Sequence, residues 1–360
     1  MNKPVKSQVL LPKGFEDLLP PDADAEFFAI NMLMQSFESF GYQRVKPPLA
    51  EFEESLLGAG PGKALADQAF RVMDPQSEKM LALRSDITAQ IARIATSRLA
   101  NEPRPLRLTY ANDVIRTRAS QQRTLRQFCQ VGCELVGGDE KNSVVEMAVV
   151  ALKGLSRVGL ENVTIDFSLP DIVDAVFEAA GVDKVEIDSL RAKLAGTADG
   201  AIERLEGLGL SGGAAEQVAH LKEVVAEIKD AVEKLGISGV SYTVDPLETR
   251  GFEYHRGVTF TLFTADAHGE IGRGGCYCLL NGNSTADDYA AGFTLYMDTV
   301  RSAIPDSEGY TRVFVPADAG WDVLDQLQGA GYVTVRGFDG GEDALSTCTH
   351  IYKNGKVEPI

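Results

Sequence analysis

The sequence predicts an α+β fold, in which a mostly antiparallel sheet is covered by helices on one face. The chain has 360 residues, 44% of them hydrophobic, which is enough for one large core and a smaller second unit. Helix-like segments carry apolar residues at spacings of three and four. Long strand-like segments occur without the strict alternation of strand and helix that a doubly wound sheet requires.

The first predicted element is an amphipathic helix from Asp22 to Phe40. Gly41 ends it, and the Pro47-Pro48 pair that follows disfavours a helix and indicates an extended segment. The apolar residues of the helix recur every three or four positions and form one stripe: Phe27, Ile30, Leu33, Met34, Phe37 and Phe40.

A long antiparallel hairpin is predicted next. Two β-like runs, residues 104–117 and 125–138, are rich in Leu, Val and aromatic residues. The polar stretch Arg118–Thr124 separates them and would form the loop of the hairpin.

The second half of the chain suggests a division into domains. A helix over Ser143–Val158 and a strand around Ile165 precede a stretch rich in Ala, Glu, Lys and Leu, which predicts a helical insertion at about residues 171–238. Strand signals then return. We therefore expect a main domain over residues 1–305, interrupted by this insertion, and a small α/β unit over residues 306–360.

The charge of the chain restricts its function. The net charge of −17 argues against a protein whose main task is to hold nucleic acid, because phosphate neutralisation needs surplus Lys and Arg. Residues 84–126 differ, since nine arginines against three acidic residues give this segment a charge of +6. A cationic cluster suggests a site for a small anion or an acidic partner. Arginines on solvated helix faces are the alternative.

Targeting and redox signals are weak. The N-terminal residues lack the apolar segment of a signal peptide, and no stretch approaches the ~18 apolar residues of a membrane span, so we expect a cytoplasmic protein. The five cysteines include no CxxC pair, which favours reduced thiols over disulfides or a zinc knuckle. His255 and His268 have no partner at metal-ligand spacing, and we expect no metal site.

Two pairs of polar residues are candidates for a binding site. Asp86 and Thr88 lie two apart, so on an extended segment both would face one way and could receive an ammonium group. A helix N-cap is the alternative interpretation. Gln130 and Glu134 lie four apart in the second strand of the hairpin and also share a face. In most proteins a Glu at such a position is exposed or paired.

Three further segments add candidates. Arg116 ends an extended run, where its guanidinium could hold a carboxylate or phosphate through two hydrogen bonds, although a surface arginine is the alternative. Residues 250–257 place glycines on both sides of aromatic and charged residues, which is typical of close approach to a ligand, or of an ordinary β-turn. Residues 274–278 set two glycines beside Tyr277 and do not match a phosphate loop.

The order of these segments resembles the class II histidyl-tRNA synthetase catalytic domain. The matching segments, between residue 10 and about residue 304, are LPKGFEDLLP, GYQRVKPPLAEFEE, LRSDITAQIARI, the hairpin with YANDVIRTR and RQFCQVGCELVG, LETRGFEYHRGVTF, and GGCYC. The RSDIT form is most similar to ATP phosphoribosyltransferase regulatory subunits, which are paralogues of that synthetase. The resemblance implies a class II synthetase-like antiparallel sheet flanked by helices. It also implies a dimer interface built by the Asp22–Phe40 helix and the Pro47-Pro48 segment.

The resemblance further implies a histidine site. By matching positions, the ligand ammonium would meet Asp86 and Thr88, the ammonium and imidazole would meet Gln130 and Glu134, the carboxylate would meet Arg250, and the ring would contact Tyr254 and Tyr277. His255 stands where the synthetases usually have a second tyrosine. Arg116 fills the motif 2 position that resembles an α-phosphate clamp.

Positions that handle ATP in the synthetases depart from the pattern. Arg118 replaces an acid, Arg123 and Thr124 replace a loop glycine and a loop arginine, and Thr299 replaces the arginine of the third motif. Adenylation depends on cations that stabilise the developing phosphoryl charge, so the resemblance implies that aminoacylation is lost. The last 55 residues also look too few for an anticodon-binding domain, and we do not expect tRNA binding.

The resemblance therefore implies a non-catalytic regulatory subunit of ATP phosphoribosyltransferase in histidine biosynthesis. Its expected partners are a short-form catalytic subunit and L-histidine as effector, in a hetero-oligomer that contains a homodimer, without a cofactor. Histidine could occupy the old substrate pocket or a subunit interface. A divergent active histidyl-tRNA synthetase is the main alternative, and a ligase that adenylates another small acid is a weaker one.

Overall fold

A computed structural model describes residues 11–58, 60–120, 123–252, 254–279, 289–305, 311–338 and 343–360. The chain divides into two compact units, Met1–Pro305 and Asp306–Ile360. The first unit contains a large sheet flanked by helices, which confirms the predicted α+β fold class.

The elements of the first unit follow the order expected from the sequence. Its α-helices are α1 (Asp22–Ser39), α2 (Glu53–Leu57), α3 (Gly60–Ala64), α4 (Thr88–Thr96), α5 (Glu140–Arg157), α6 (Val173–Ala180), α7 (Ile187–Leu194), α8 (Ala198–Gly207), α9 (Gly213–Lys234) and α10 (Met297–Ala303). Its strands are β1 (Gln43–Arg44), β2 (Ala50–Phe52), β3 (Arg71–Met73), β4 (Met80–Leu83), β5 (Leu106–Ile115), β6 (Gln127–Val136), β7 (Val163–Ser168), β8 (Gly196–Thr197), β9 (Val240–Val244), β10 (His255–Thr264), β11 (Glu270–Cys278) and β12 (Tyr289–Tyr296). Short 3-10 helices cover Ala66–Gln68, Pro170–Ile172 and Lys184–Glu186.

Two predicted segments, the long hairpin and the helix that follows it, are present in the structure. The hairpin is formed by β5 and β6, which pair antiparallel over ten residues each, as predicted. Helix α5 begins three residues before the predicted Ser143, because the Asp139 side chain accepts a hydrogen bond from the Asn142 backbone N–H and caps the helix.

The large sheet has nine strands in the order β1-β5-β6-β12-β11-β10-β7-β9-β8. Every neighbouring pair from β5 through β7 is antiparallel, whereas β1 pairs parallel with β5 and β9 pairs parallel with β7. The centre of the sheet is therefore antiparallel, as expected, and parallel strands lie only near its edges. A second, three-stranded sheet has the order β2-β4-β3.

Helices lie on both faces of the large sheet, whereas the sequence predicted one. One face packs against α1, α5 and α10 and holds the main core, where Phe37 of α1 meets Phe293 of β12 edge to face. On the other face, Ile91 of α4 lies in a second apolar cluster with Tyr110 and Tyr296. The apolar side of α4 therefore packs against this second face of the sheet and covers part of it.

The helical insertion contains the four helices α6 to α9, within the predicted three or four. Their inward-facing residues, such as Leu205 and Leu221, join the main core. The two-residue strand β8, which pairs with β9 and was not predicted, connects the insertion to the edge of the sheet.

The described residues of the second unit form a four-stranded sheet and one α-helix. Its elements are β13 (Arg312–Val315), α11 (Trp321–Gly329), β14 (Val333–Arg336), a 3-10 helix (Asp343–Thr347), β15 (His350–Lys353) and β16 (Lys356–Pro359). The strand order is β14-β13-β15-β16, and Val313, Val315, Leu324 and Leu327 form its core. Across both units, none of the described helices has the length and apolar composition that a membrane span needs.

Candidate functional site

A cavity of about 340 Å³ lies on the sheet face that α4 leaves partly open. Side chains alternate between the two faces of a strand, so Gln130 and Glu134 of β6 lie on the face with the cavity, whereas Cys133 faces the main core. The strand register places Glu134 opposite Gly292 of β12, and Gly292 opposite Gly275 of β11. The absence of side chains at these glycines makes space for Glu134 above Gly292 and for Thr259 and His255 above Gly275. The cavity volume is in the range of ligand pockets.

The acidic end of the cavity consists of Asp86 and Glu134. Asp86 accepts hydrogen bonds from the Gln130 side chain and from the Thr88 backbone N–H, both at 2.9 Å. Glu134 accepts from the Thr88 hydroxyl at 3.0 Å and from the Tyr277 hydroxyl at 2.7 Å. All four donors are neutral, so these bonds hold the carboxylates in place without cancelling their charge.

Glu134 is buried in a way that favours its protonated form. Burial raises the pKa of Glu134 to about 8, and the negative charge of Asp86 raises it further, although the hydrogen bonds from Tyr277 and Thr88 oppose the shift. Only 1% of the residue is exposed. A ligand cation placed beside the two carboxylates would favour the ionised form, so this end is suited to a positively charged group.

Three rings form one wall of the cavity. Tyr254 stacks on His255 with ring centroids 4.3 Å apart and meets Tyr277 edge to face at 5.8 Å. Burial, aided by the positive charge of Arg273, lowers the pKa of His255 to about 3, so this imidazole is neutral near pH 7. The wall can therefore contact a flat ring without adding charge.

Glycines allow the chain to approach the site closely. A Cβ at Gly292 would lie 1.9 Å from Oε2 of Glu134, so any side chain there would displace the carboxylate. Gly251 has a positive φ of +81° in the turn before β10 and lines the cavity, so the predicted turn is present. Close approach of this turn to a ligand stays a prediction.

The cationic end of the cavity consists of Arg116, Arg118, Arg123, Arg250 and Arg273, all of which line it. Arg116 lies over the Phe128 ring and donates from Nε to the Ser85 carbonyl at 3.2 Å. Arg118 is exposed.

Arg123 is the most enclosed arginine from the hairpin loop. Its guanidinium lies 4.1 Å from the centroid of the Tyr296 ring, forms an ion pair with Asp298, and donates to the Thr299 hydroxyl at 3.3 Å. Arg123, which stands where the synthetase pattern has a loop glycine, thus contacts Thr299, which stands where that pattern has the third-motif arginine. Asp298 balances the charge of Arg123.

The other two arginines differ sharply in exposure. The Arg250 side chain is 74% exposed and bonds to Glu248 through Nε and Nη2. The Arg273 side chain is 18% exposed, forms an ion pair with Glu270 and lies against the Phe252 ring.

The structure brings together most of the site residues named from the sequence. Eight of them line the cavity: Asp86, Thr88, Arg116, Glu134, Arg250, Tyr254, His255 and Tyr277. Gln130 lies behind Asp86 and orients it rather than lining the cavity. Asp86 is not the N-cap of α4, which is Ile87, but its carboxylate accepts a hydrogen bond from the N–H of Thr88, the first residue of that helix. The predicted contact of Asp86 and Thr88 with an ammonium group stays a prediction.

Sequence reasoning missed several lining residues, including Arg273, Glu270, Thr294 and Tyr296. A signal for Arg273 was present, because it lies four positions before Tyr277 on the same strand and so shares its face. Thr294 and Tyr296 follow from the same alternation on β12. The sequence did not reveal that β12 lies between β6 and β11.

The cavity contains side chains of both charges. Asp86 and Glu134 line it together with five arginines and the three rings of its wall, and Glu270 is a further lining carboxylate beside Arg273. A cavity that combines carboxylates, arginines and rings suits a small zwitterion that carries a ring. Within the described part of the chain, no group of three or more His, Cys, Asp or Glu side chains is placed to hold a metal ion.

Comparison with known proteins shows the family of the chain. The chain matches the family described as Histidyl-tRNA synthetase over residues 14–224 and 193–300. It is 40% identical to the ATP phosphoribosyltransferase regulatory subunit of Rhodospirillum centenum, over 98% of this chain and 97% of that protein. The protein of the same name from Paramagnetospirillum magneticum is 41% identical, over 96% of this chain and 94% of that one. The chain belongs to the ATP phosphoribosyltransferase regulatory subunit family.

Solved structures confirm the fold of this family for the chain. A Bacillus halodurans protein described as an ATP phosphoribosyltransferase regulatory subunit/histidyl-tRNA synthetase superposes with a TM-score of 0.76 at 22% identity, over 98% of this chain and all of that one. A histidyl-tRNA synthetase from Nostoc superposes with a TM-score of 0.72 at 18% identity, over 95% and 90%. The class II synthetase-like fold predicted from the sequence is therefore confirmed.

Proposed function

We propose that this chain is a non-catalytic regulatory subunit of ATP phosphoribosyltransferase in histidine biosynthesis. In this proposal it binds L-histidine in the cavity and confers feedback control on a short-form catalytic subunit in the cytoplasm. Family membership supports the regulatory role. The presence of carboxylates, arginines and aromatic rings in one cavity is the observation that carries the proposal of an amino acid effector.

Each part of histidine has a counterpart in the cavity. We assign the ammonium group to Asp86, Thr88 and Glu134, where a cation would relieve the repulsion between the two buried carboxylates. The imidazole would contact the wall of Tyr254 and Tyr277, which His255 supports by stacking. The carboxylate would face the arginines of the cationic end, among them Arg116, Arg250 and Arg273.

Feedback control requires two states of the complex. Histidine can shift the equilibrium between them only by binding one state more tightly than the other, and the shift cannot exceed this difference in binding free energy. We propose that the state that binds histidine more tightly is the inhibited one.

The proposed loss of aminoacylation rests on the surroundings of Thr299. No arginine stands at this position, and the cation nearest to it, Arg123, is held by Asp298 and by ring contacts. A guanidinium already neutralised by a carboxylate offers little stabilisation to a developing phosphoryl charge. Arg118 and Thr124 stand where the synthetase pattern has an acid and an arginine.

Two measurements test the proposal together. Calorimetry of the purified chain should show histidine binding, and co-purification should show a complex with a short-form catalytic subunit. Phosphoribosyltransferase assays of the complex should then show inhibition by histidine that is absent from the catalytic subunit alone. Failure of the two subunits to associate would overturn the regulatory role, whereas association without histidine inhibition would overturn the effector.

Active histidyl-tRNA synthetase is the competing function, and Arg116 favours it because an arginine remains at the motif 2 position. It predicts histidine-dependent exchange of pyrophosphate into ATP. We expect no exchange above the rate without enzyme, while a clear histidine-dependent signal would support the synthetase instead.

We also propose that the chain forms a homodimer within the hetero-oligomer. Helix α1 leaves large apolar side chains exposed at Phe27 and Met32, and Leu49 and Phe52 are exposed nearby in sequence. Light scattering should give twice the chain mass of 38.8 kDa. Phe27→Asp together with Met32→Lys should reduce it to the monomer mass.

A further inference from the structure

Arg273 enters the cavity from the sheet itself. Residues 273, 275 and 277 lie on the same face of β11, and the Tyr277 hydroxyl on that face bonds to Glu134. Arg273 pairs in register with Thr294 of β12, another cavity residue. A sheet position fixes the base of the side chain more firmly than a loop does.

The position of Arg250 is less suited to holding a ligand. Glu248, two residues earlier, already occupies its guanidinium through two hydrogen bonds, at 3.1 Å to Nε and 2.8 Å to Nη2. Its side chain is four times as exposed as that of Arg273, 74% against 18%. A bond to an exposed cation competes with water and contributes little to affinity.

The turn that carries Arg250 is shaped around Arg273. Nη1 of Arg273 donates to the Arg250 carbonyl at 3.3 Å, and a Cβ built on Gly251 would lie only 1.2 Å from this nitrogen. Gly251 is therefore required because the guanidinium of Arg273 occupies the space where a side chain would be. The Arg250-Gly251 pair thus contributes backbone to the site.

Arg273 also has unused donors. A guanidinium has five N–H groups, and the bonds to Glu270 and to the Arg250 carbonyl use one each. Among the described residues, the buried Nε has no hydrogen-bond partner. The side chain as a whole is 18% exposed and lines the cavity, so a ligand acceptor can reach the remaining N–H groups on its two terminal nitrogens.

We infer that Arg273, and not Arg250, receives the carboxylate of the amino acid ligand. This inference rests on the proposed function, and it assigns specificity within the same cavity. Glu270 holds the guanidinium from one side, and the ligand carboxylate bonds to the remaining N–H groups. Arg273 then selects ligands that carry an anionic group opposite the ammonium.

A comparison of two ligands tests the inference. L-histidinamide keeps the ammonium and imidazole of L-histidine and replaces the carboxylate by a neutral amide. Calorimetry on the wild-type chain should show histidine binding roughly 10- to 100-fold more tightly than the amide, the range expected for charge-assisted hydrogen bonds.

The variants separate the two arginines. The double variant Arg273→Gln, Glu270→Gln removes both charges, so that no buried carboxylate is left without a partner. In it, the preference for histidine over L-histidinamide should fall below about 3-fold, while the amide still binds. Arg250→Gln should keep the wild-type preference. A preference lost in Arg250→Gln, or retained in the double variant, would overturn the assignment.

Two results keep this test separate from other failures. If the wild-type chain binds neither ligand, the proposed function itself fails. If the double variant does not fold, a crystal structure of the wild-type chain with histidine decides, because the carboxylate must then lie about 2.8 Å from an Arg273 nitrogen. A carboxylate placed on Arg250 in that structure would refute the inference.

Discussion

At the acidic end of the cavity, Asp86 and Glu134 are held by neutral donors from the hairpin, from α4 and from β11, and Glu134 is almost completely buried. At the cationic end, Arg116, Arg118 and Arg123 come from the hairpin loop and its flank, and Arg250 comes from a turn. The two arginines with the closest contacts, Arg123 and Arg273, are neutralised by Asp298 and Glu270.

This difference separates a fixed subsite from an adjustable one. The acidic end needs no rearrangement to receive a cation, since its hydrogen bonds already orient the carboxylates. At the cationic end, an incoming anion would share Arg123, Arg250 and Arg273 with the carboxylates that already pair with them. We therefore expect the acidic end to determine whether a ligand binds, and the cationic end to determine which ligand and which state of the complex is favoured.

The largest effect should come from crowding the acidic end. Gly292→Ala places a methyl group 1.9 Å from Oε2 of Glu134, in a strand where the backbone cannot move freely. We expect histidine binding to be lost and the free energy of unfolding to fall by about 1–3 kcal/mol, measured by calorimetry and urea denaturation.

Gly207→Ala is the matched control, because Gly207 ends α8 and no atom lies within 4 Å of the added methyl. It should leave binding unchanged and leave stability equal or slightly higher. Wild-type affinity in Gly292→Ala would show that Glu134 can move without consequence, and that the acidic end is not fixed.

Removing the charge of Glu134 should weaken binding while preserving the fold. Glu134→Gln keeps the shape and can still accept from Tyr277 or Thr88, but it cannot ionise beside a ligand cation. We expect roughly 10- to 100-fold weaker histidine binding by calorimetry. Tyr289→Phe is the control, because Tyr289 is the first residue of β12 and packs against the main core rather than lining the cavity. This variant should bind histidine normally. Equal affinity in Glu134→Gln would move the ligand ammonium away from this carboxylate.

The pH dependence of stability should identify the same group. Because the pKa of Glu134 is raised from 4.5 to about 8 in the folded chain, the unfolded chain loses this proton first as the pH rises. The contribution of Glu134 to stability is therefore present below about pH 4.5 and is lost as the pH approaches 8. Urea denaturation should show a larger loss between pH 5 and 8 in the wild type than in Glu134→Gln. Parallel profiles would contradict the raised pKa.

How much the sequence could predict differs between the fold and the site. Periodicity predicted α1, the β5–β6 hairpin and the helices of the insertion, because these elements depend on local apolar spacing. It did not place α4 on the second face of the sheet, since that requires the order of strands that lie far apart in sequence. The two-residue strand β8 carried no periodic signal.

For the site, the matching sequence segments named the residues that lie at the acidic end. Asp86, Glu134 and Tyr277 meet there because the strand register brings three distant segments together. The cationic end was predicted less well, because long arginine side chains reach partners that local sequence does not specify. Neither the pairing of Arg123 with Asp298 nor the entry of Arg273 into the cavity was predicted.

Breaking the Arg123 pair tests whether the cationic end also has a structural role. Arg123→Ala removes the ring contacts with Phe128 and Tyr296 and leaves the partly buried Asp298 without this partner. We expect the free energy of unfolding to fall by about 1–3 kcal/mol in urea denaturation. Arg250→Ala, an exposed control, should change it by less than about 0.5 kcal/mol. Equal small effects would show that Arg123 is not part of the folded framework.

The smallest effect is expected at His255, in the aromatic wall of the cavity. Its pKa of about 3 keeps the imidazole neutral from pH 5 to 9, and Nδ1 has no hydrogen-bond partner among the described residues, so its role is to stack on Tyr254. His255→Phe preserves a flat ring there, and we expect the dissociation constant for histidine to change by less than about 3-fold. His255→Ala, which removes the stack, should weaken binding more. If His255→Phe instead reduced affinity more than about 10-fold, an imidazole nitrogen of His255 would have to bond to the ligand, and the aromatic wall would carry polar specificity of its own.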